Sequence, residues 1–184
     1  VFVGMSGGVD SSVAAALLKE RGFDVVGVHL KCFNLDGCAA GDAEDARRAA
    51  EHLEIPFYAF DFEKEYKHKV VDYMIDEYKL GRTPNPDIMC NQEVKFKLLL
   101  ETSLEDGADM IATGHYARVE NGVLKQAVDT NKDQTYFLYR VTGEALKKTL
   151  FPLGEFTKPR VLEMAQERGL YTAAKKDSQG ICFV

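Results

Sequence analysis

Short apolar runs alternate with longer stretches of helical periodicity over the first 113 residues. The runs have strand length and are rich in Val, Ile and Phe, whereas the stretches between them place apolar residues three or four positions apart. Strands are expected at residues 1–5, 23–30, 55–62 and 109–113, and helices at 11–21, 43–53, 63–80 and 91–105. Strands joined through helices pair in parallel and are covered on both faces, so the pattern predicts a doubly wound α/β fold.

Two residues mark the ends of these helices, and two prolines interrupt the pattern. Asp42 is expected to cap the helix at 43–53, and Gly81 to end the helix at 63–80. Residues 82–87 contain two prolines, which lack an amide donor and restrict the residues that precede them. We therefore expect residues 82–87 to form a rigid, non-helical loop.

The pattern changes after residue 116. Residues 117–128 read as a hairpin around Asn121-Gly122, the pair that favours a type I′ turn. Helices are expected at 134–141, 143–150 and 158–168, the last behind a Thr157 cap with Pro159 in its first turn. The sequence thus predicts a parallel sheet followed by a hairpin and a helical extension.

Composition narrows the class of protein. The chain has 184 residues, enough for one domain with a small appendage, and it has no apolar run long enough to cross a membrane. Its four cysteines are too scattered for a disulfide scaffold, which indicates reduced thiols and a cytoplasmic protein. The net charge of -6 is a weak argument against nucleic acid, but from Lys125 onward 10 basic residues face 7 acidic ones. Both ends are apolar, so we expect the chain to be truncated there.

A glycine- and serine-rich segment lies between the first predicted strand and the first predicted helix. It reads Ser6-Gly7-Gly8-Val9-Asp10-Ser11-Ser12. Glycines let backbone amides approach an anion, serine hydroxyls donate hydrogen bonds, and a helix N-terminus favours negative charge. The segment therefore predicts a phosphate cradle, and it matches neither the Walker pattern nor the dinucleotide fingerprint.

This segment resembles the PP-loop of the ATP pyrophosphatases, which reads Ser-Gly-Gly-x-Asp-Ser. The resemblance implies that ATP is split between its α and β phosphates, so that a substrate is adenylated and pyrophosphate leaves. It also implies that Asp10 helps to hold Mg²⁺, for which a carboxylate is a suitable ligand.

Four further motifs resemble those of the tRNA-specific 2-thiouridylases, the MnmA family. They are Gly-Arg-Thr-Pro-Asn-Pro-Asp-Ile-Met-Cys-Asn at 81–91, Gly-His-Tyr-Ala-Arg at 114–118, Asn-Lys-Asp-Gln-Thr-Tyr-Phe-Leu at 131–138 and Lys-Asp-Ser-Gln-Gly-Ile-Cys-Phe at 176–183. Together with the phosphate loop they span nearly the whole chain in order. The resemblance implies a catalytic domain at residues 1–141 and, at 142–184, a helical extension that carries a persulfide cysteine.

The resemblance implies a sulfur-transfer reaction on the wobble uridine of tRNA. The C2 oxygen of the base attacks the α phosphate of ATP, and sulfur then displaces AMP. The sulfur arrives as a persulfide on Cys182, loaded by a cysteine desulfurase or a sulfur-relay protein, and Cys90 is the second nucleophile. Asp87 is the implied general acid or base.

The same resemblance assigns the binding residues. Those implied for ATP are Gly4, Met5, Ser6, Gly7, Gly8, Val9, Asp10, Ser11, Leu30 and Gly114; those implied for tRNA are Asn85, Pro86, Asp87, Lys132, Asp133 and Gln134. Leu30 departs from the family, which usually has Met beside the adenine. His115 is interpreted as a structural histidine at a strand end.

The residues themselves say less about the two thiols. Cys90 is expected at the mouth of a helix, where the dipole favours thiolate, and Lys175 and Lys176 precede Cys182. An isolated cysteine is otherwise often a small buried hydrophobe. Cys32 and Cys38 are spaced too widely for a zinc knuckle and are expected in a variable loop.

Three alternatives stay open. Cys90, Cys182 and one further ligand could hold an iron–sulfur cluster that carries the sulfide. A PP-loop amidating synthetase would account for the phosphate loop but leaves both cysteines without a role. A regulatory module that binds a nucleotide without catalysis would need only the phosphate loop.

Overall fold

The computed structural model describes residues 1–32 and 39–175. The strands in this part of the chain are β1 (Phe2–Gly4), β2 (Val26–Lys31), β3 (Phe57–Asp61), β4 (Ile111–Thr113), β5 (Arg118–Glu120), β6 (Val123–Lys125) and β7 (Thr149–Leu150). Five of them form one parallel sheet in the order β3-β2-β1-β4-β7. The α/β fold with a parallel sheet is confirmed.

The helices lie between and beside these strands. They are α1 (Val9–Glu20), α2 (Ala39–His52), α3 (Glu63–Tyr66), α4 (Tyr73–Lys79), α5 (Pro86–Met89), α6 (Leu99–Glu105), α7 (Gly143–Lys147) and α8 (Lys158–Glu167). Two π-helical stretches, Lys67–Asp72 and Cys90–Leu98, join α3 to α4 and α5 to α6. We call the continuous helix from α5 through α6 the thiol helix, because it contains Cys90.

Helices cover the sheet on both faces. On one face, alanines of α2 (Ala46, Ala49 and Ala50) pack with Val3 of β1, and their small side chains allow close approach. On the other face, Val94 and Leu99 of the thiol helix are fully buried among apolar residues. Burial of both faces explains why the strands read as continuous apolar runs.

A fifth strand is the main correction to the predicted topology. Residues 143–150 were expected to be one helix, but α7 ends at Lys147, and β7 then pairs with β4. A strand of two residues has no periodicity of its own, so only its partner defines it. β7 joins the sheet from beyond the expected domain boundary at residue 142, and that boundary stays a prediction.

The helix expected at 134–141 is also wrong. The structure has only a short 3₁₀ turn there, Thr135–Phe137. The Gln134 amide donates to the Tyr116 carbonyl at 2.9 Å, so a tertiary contact fixes the start of this segment.

The thiol helix begins earlier than expected. Asn85 accepts hydrogen bonds from the amides of Asp87 and Ile88 at 3.1 and 3.3 Å, and Pro86 occupies the first helical position. Proline suits that position because the first turn needs no amide donor from it. Residues 86 and 87 are therefore helical, and Cys90 lies a full turn inside the helix rather than at its mouth.

Two predicted caps are replaced by other contacts. Asp42 lies inside α2, which begins at Ala39, and its carboxylate accepts from Lys175 instead. Thr157 precedes α8 but makes no side-chain cap. The Asp129 carboxylate accepts from the Lys158 amide at 2.8 Å and takes over that role.

The hairpin predicted at 117–128 is confirmed in part, because its paired strands cover only residues 118–120 and 123–125. β5 and β6 pair antiparallel, and the two turn residues, Asn121 and Gly122, have φ of 53° and 76°. Positive φ at both positions defines the type I′ turn that the Asn-Gly pair indicated.

Candidate functional site

Residues 6–12, the predicted phosphate cradle, comprise the end of the connection from β1 and the first turn of α1, and we call them the phosphate loop. Ser11 Oγ accepts from the Ser6 amide and donates to the Gly8 carbonyl, both at 3.2 Å, and Ser12 Oγ donates to the same carbonyl at 2.9 Å. Ser12 is fully buried. The serines therefore fix the shape of the loop, and its backbone amides are what it offers to an anion.

Two glycines allow the loop its close contacts. Gly7 has a φ of +76°, a conformation that L side chains rarely adopt. Gly114 follows β4, and a Cβ atom there would lie 2.7 Å from the Ser11 nitrogen. The structure thus brings Gly114 against the phosphate loop, at the carboxyl edge of the sheet where α/β proteins bind ligands.

Asp10, in the first turn of α1, is paired with a distant lysine. Lys158 Nζ, at the start of α8, lies 2.8 and 2.9 Å from the two Asp10 carboxylate oxygens. The Tyr116 hydroxyl donates to Asp10 Oδ1 at 2.9 Å. Lys158 and Tyr116 are buried, whereas Asp10 is partly exposed. The carboxylate is therefore held in one orientation at the edge of the loop.

Sequence reasoning missed Lys158 and Tyr116. The sequence did contain one indication for Lys158. It lies at the first position of a predicted helix, where the positive end of the helix dipole makes a cation unfavourable. Such a position is favourable only if a carboxylate partner is near. Tyr116 lies within a quoted motif, but nothing local indicates that its hydroxyl reaches Asp10.

The other residues assigned to ATP differ in what they expose. Met5 and Val9 are buried, and the Met5 sulfur would lie 2.7 Å from a Cβ atom on Gly27. These two residues can offer only backbone groups to a ligand. Gly4 and Leu30 lie near the carboxyl ends of β1 and β2, and both are half-buried.

Cys90 is buried in the core beside the first turn of the thiol helix. Asn85 is exposed and caps that turn, Pro86 is buried, and Asp87 is half-buried. The geometry does not support the argument that the helix dipole activates Cys90, because the Cys90 amide is already bonded within the helix to Asp87 and Pro86.

Two titratable groups near this helix are shifted in opposite ways. Burial raises the pKa of the Asp87 carboxyl, and the Lys95 ammonium opposes this effect. Burial holds the pKa of the His115 ring well below its usual range, and Lys95 acts in the same direction. The His115 ring packs between Phe96 and Phe151, with distances of 5.6 and 6.3 Å between ring centroids. Its Nδ1 is 2.8 Å from Thr113 Oγ1.

A turn after the hairpin connects the thiol helix to the phosphate loop. Asn91, next to Cys90, donates to the Phe137 carbonyl at 3.2 Å. Gln134 Oε1 accepts from the Tyr116 amide at 2.9 Å, and Tyr116 in turn binds Asp10. A continuous series of contacts therefore joins the helix that carries Cys90 to the loop that carries Asp10.

The residues assigned to tRNA contact in this turn are half-buried. Asp133 accepts from the Ala127 amide at 2.8 Å and from the Thr135 hydroxyl at 2.5 Å. Together with the hydrogen bond to Gln134 Oε1, these hydrogen bonds mean that the Asp133 and Gln134 side chains hold the turn in place. Lys132 is half-buried at the same place.

Some predicted site residues cannot be placed. Cys38 and Cys182 lie outside the described residues, as does the motif at 176–183. Within residues 1–32 and 39–175, no group of three His, Cys, Asp or Glu side chains could hold a metal ion. In the same two ranges, no helix has the length and apolar character that crossing a membrane requires.

Comparison with known proteins identifies the family. Residues 1–184 match the profile described as the tRNA methyl transferase HUP domain. The chain belongs to this family. A protein of Bacillus licheniformis named tRNA-specific 2-thiouridylase MnmA is 56% identical over the whole chain, and one of Bacillus thuringiensis strain Al Hakam with the same name is 55% identical. The chain spans 52% of each relative's length.

Solved structures share the fold at low identity. A 4-thiouridine synthetase in complex with RNA and bound ATP has a TM-score of 0.64 at 20% identity, covering 100% of this chain and 44% of that one. The NMN synthetase of Francisella tularensis has a TM-score of 0.61 at 18% identity, covering 96% and 65%. This HUP-domain chain therefore shares its fold with these two proteins.

Proposed function

We propose that this chain forms the catalytic part of an enzyme that uses ATP to convert the C2 oxygen of the tRNA wobble uridine to sulfur. The observation that carries the proposal is the phosphate loop closed against Gly114, in a chain 56% identical to a 2-thiouridylase. The proposed boundaries are residues 1–141 for the nucleotide-binding domain and 142–184 for the extension with the sulfur-carrying cysteine.

The phosphate loop binds the β and γ phosphates of ATP through backbone amides. Its amides and the N-terminus of α1 need no reorganisation to bind an anion, since the loop shape is already held by Ser6, Ser11 and Ser12. Leu30 contributes an apolar contact to the adenine. The uridine C2 oxygen attacks the α phosphate, the bond to the β phosphate breaks, and pyrophosphate leaves.

Mg²⁺ fits this site only as part of the nucleotide complex. A carboxylate is a suitable ligand, but Asp10 is a single one, and the described residues hold no set of three ligands. Both Asp10 oxygens accept from Lys158, so Asp10 must share or exchange that partner to contact a metal ion. Mg²⁺ would supply charge neutralisation on the phosphates, with Lys158 as the protein cation beside them.

The thiols act in the second half-reaction. A persulfide on Cys182 supplies the outer sulfur to C2 of the adenylated base, and the C2–O bond to AMP breaks. Cys90 then attacks the inner sulfur of Cys182, so that the S–S bond of the persulfide is exchanged for a Cys90–Cys182 disulfide. An external thiol reductant returns both cysteines to the reduced state. Asp87 is the proposed general acid or base for this exchange; burial raises the pKa of its carboxyl, and the Lys95 ammonium opposes that shift.

The partners follow from this chemistry. Asn85, Pro86 and Asp87 border the flipped uridine, and the turn at residues 132–134 contacts the tRNA backbone. A cysteine desulfurase or sulfur-relay protein loads Cys182. These reactions take place in the cytoplasm, where the thiols stay reduced between turnovers.

The test is pyrophosphate release from ATP that depends on tRNA. Purified protein is given ATP, Mg²⁺, a cysteine desulfurase with cysteine, and unmodified tRNA, and the digested tRNA is analysed for 2-thiouridine by mass spectrometry. We expect pyrophosphate and 2-thiouridine only when tRNA is present. Pyrophosphate release with ammonia and a carboxylate in place of tRNA would show an amidating synthetase instead. ATP binding without release under any of these conditions would show a regulatory module.

A further inference from the structure

The Lys175 ammonium lies between the phosphate loop and α2. Its Nζ donates to the Gly7 carbonyl at 3.2 Å, to Asp42 Oδ1 at 2.8 Å and to Asp45 Oδ2 at 2.6 Å. These three acceptors match the three donors of an ammonium group. Lys175 therefore ties the loop to α2, and none of the roles proposed above uses it.

The contact with Gly7 sets the direction of the next amide. A peptide bond is planar and trans, so the Gly8 N–H points opposite to the Gly7 carbonyl. The Gly7 carbonyl is directed to Lys175 on the α2 side, and the loop is packed closely there: a Cβ atom on Gly7 would lie 2.3 Å from the Asp42 carbonyl oxygen. The Gly8 amide is thereby turned away from α2, and among the described residues none accepts a hydrogen bond from it.

Lys175 does not act on the bound phosphate by direct charge attraction. One ammonium faces two carboxylates, so the cluster has a net negative charge and does not attract phosphate. Burial favours the neutral amine, but the hydrogen bonds from Lys175 to Asp42 and Asp45 outweigh it and raise the pKa of the ammonium. The contact with Gly7 is consequently made by a cation that stays charged at neutral pH.

We propose that Lys175 is a positioning residue that orients the Gly7–Gly8 peptide so that the Gly8 amide faces the bound phosphate. This inference rests on the nucleotide site of the proposed function. It also connects that site to the end of the described chain, because the turn Tyr171–Ala174 just before Lys175 packs on α1, α2 and α8. By thermodynamic linkage, a nucleotide that needs the oriented amide stabilises the docked position of Lys175 by the same factor.

The experiment compares three variants by calorimetric titration with ATP, inorganic pyrophosphate and adenosine. Lys175→Met should raise the Kd for ATP and pyrophosphate about tenfold, the effect of one charge-assisted hydrogen bond, and leave the adenosine Kd unchanged. Lys175→Arg keeps donors and charge and should restore most of the affinity. Asp45→Asn removes one acceptor that holds the ammonium and should weaken ATP binding about twofold.

Two of the variants have outcomes that would overturn the inference. If Lys175→Met binds ATP as tightly as the parent protein, or loses adenosine affinity equally, Lys175 does not position the phosphate amide. If Asp45→Asn tightens ATP binding, the effect is one of charge and not of orientation.

A second readout separates this inference from the proposed function. Hydrogen exchange at the Ser6 and Ser12 amides, which are bonded within the loop, is measured without nucleotide. Faster exchange in Lys175→Met than in Lys175→Arg supports the positioning role even if the parent protein binds no ATP, a result that would refute the proposed function alone. Equal exchange in the two variants overturns the positioning role.

Discussion

At the phosphate loop, Asp10 is bonded to Lys158, 148 positions later, and Gly7 to Lys175, 168 positions later. At the start of the thiol helix, Asn85 is bonded to Asp87 and Ile88, two and three positions later. The loop is thus held by distant parts of the fold in addition to its own serine hydrogen bonds, whereas the first turn of the thiol helix is held by its own neighbours. A locally held turn can open and close without disturbing the sheet, and a loop held from α8 and the end of the described chain cannot.

The largest expected effect tests whether the two regions serve separate half-reactions. Asp10→Ala should abolish tRNA-dependent pyrophosphate release, because the carboxylate that Lys158 and Tyr116 hold at the loop is lost. Sulfur loading on Cys182 should be unchanged, since it involves neither ATP nor Mg²⁺. Persulfide labelling after incubation with a cysteine desulfurase measures the second quantity. An Asp10 variant that also fails to load sulfur would show that the two regions act as one unit.

The next prediction separates the two thiols. Cys90→Ala and Cys182→Ala should each stop 2-thiouridine formation, but only Cys182→Ala should prevent persulfide formation, because Cys90 acts after sulfur has arrived. Alkylation and mass spectrometry measure the persulfide, and a turnover without reductant should leave a Cys90–Cys182 disulfide in the parent protein. Normal thiolation by Cys90→Ala would remove Cys90 from the mechanism. Iron and acid-labile sulfide in anaerobically prepared protein, without a persulfide, would favour the cluster alternative.

Stability measurements compare the two regions directly. Lys158→Met removes the cationic partner of the Asp10 carboxylate and should lower the free energy of unfolding by about 2–3 kcal/mol, at or below the lower end for a buried pair because Asp10 is partly exposed and keeps its hydrogen bond from Tyr116. Asn85→Ala removes one helix cap and should lower it by about 1 kcal/mol. Urea denaturation gives both values. Asn85→Asp keeps a capping oxygen and is the matched control, and an equal loss in Lys158→Met and Asn85→Ala would remove the contrast between distant and local support.

The smallest effect concerns the pH dependence of stability. The folded pKa of Asp87 is raised above its unfolded value near 3.8, so its contribution to stability is full below that pH and is lost as pH rises through the folded pKa. The folded pKa of His115 is held below its unfolded value near 6.5, so stability is lost as pH falls below that value toward the folded pKa. Asp87→Asn and His115→Gln should remove slopes of opposite sign from the unfolding free energy. Parallel slopes in the two variants would contradict this assignment.

The same contrast explains how much the sequence could predict. Local periodicity predicts the strands beside the phosphate loop, and local turn chemistry predicts the Asn-Gly turn of the hairpin. Both predictions are correct. The start of the thiol helix was also available locally, because Asn85 followed by Pro86 has the form of a cap and a first helical position. The two prolines instead favour a non-helical loop, and that expectation is wrong for residues 86 and 87.

Contacts between residues far apart in the sequence could not be predicted from local periodicity or turn chemistry. The two-residue strand β7 exists only through its pairing with β4, and the pairing of Lys158 with Asp10 joins helices at opposite ends of the chain. The turn at residues 134–138 is directed by Tyr116 rather than by its own helical pattern. In each case a partner far away in the sequence decides the local structure.

The π-helical stretch Cys90–Leu98 affects how the chain tolerates changes of length. A π-helix has more residues per turn than an α-helix, so such a stretch corresponds to extra residues inserted into an α-helix. Leu99, at its end, is fixed on the sheet, where its side chain would lie 3.5 Å from a Cβ atom on Gly4. Deleting one residue within the stretch would let its turns relax toward α-helical geometry, so Cys90 would stay near its present direction relative to Leu99, whereas the same deletion in an α-helix rotates the two flanking segments by about 100° against each other. The helix would survive, and its thiol would stay on the same side of it.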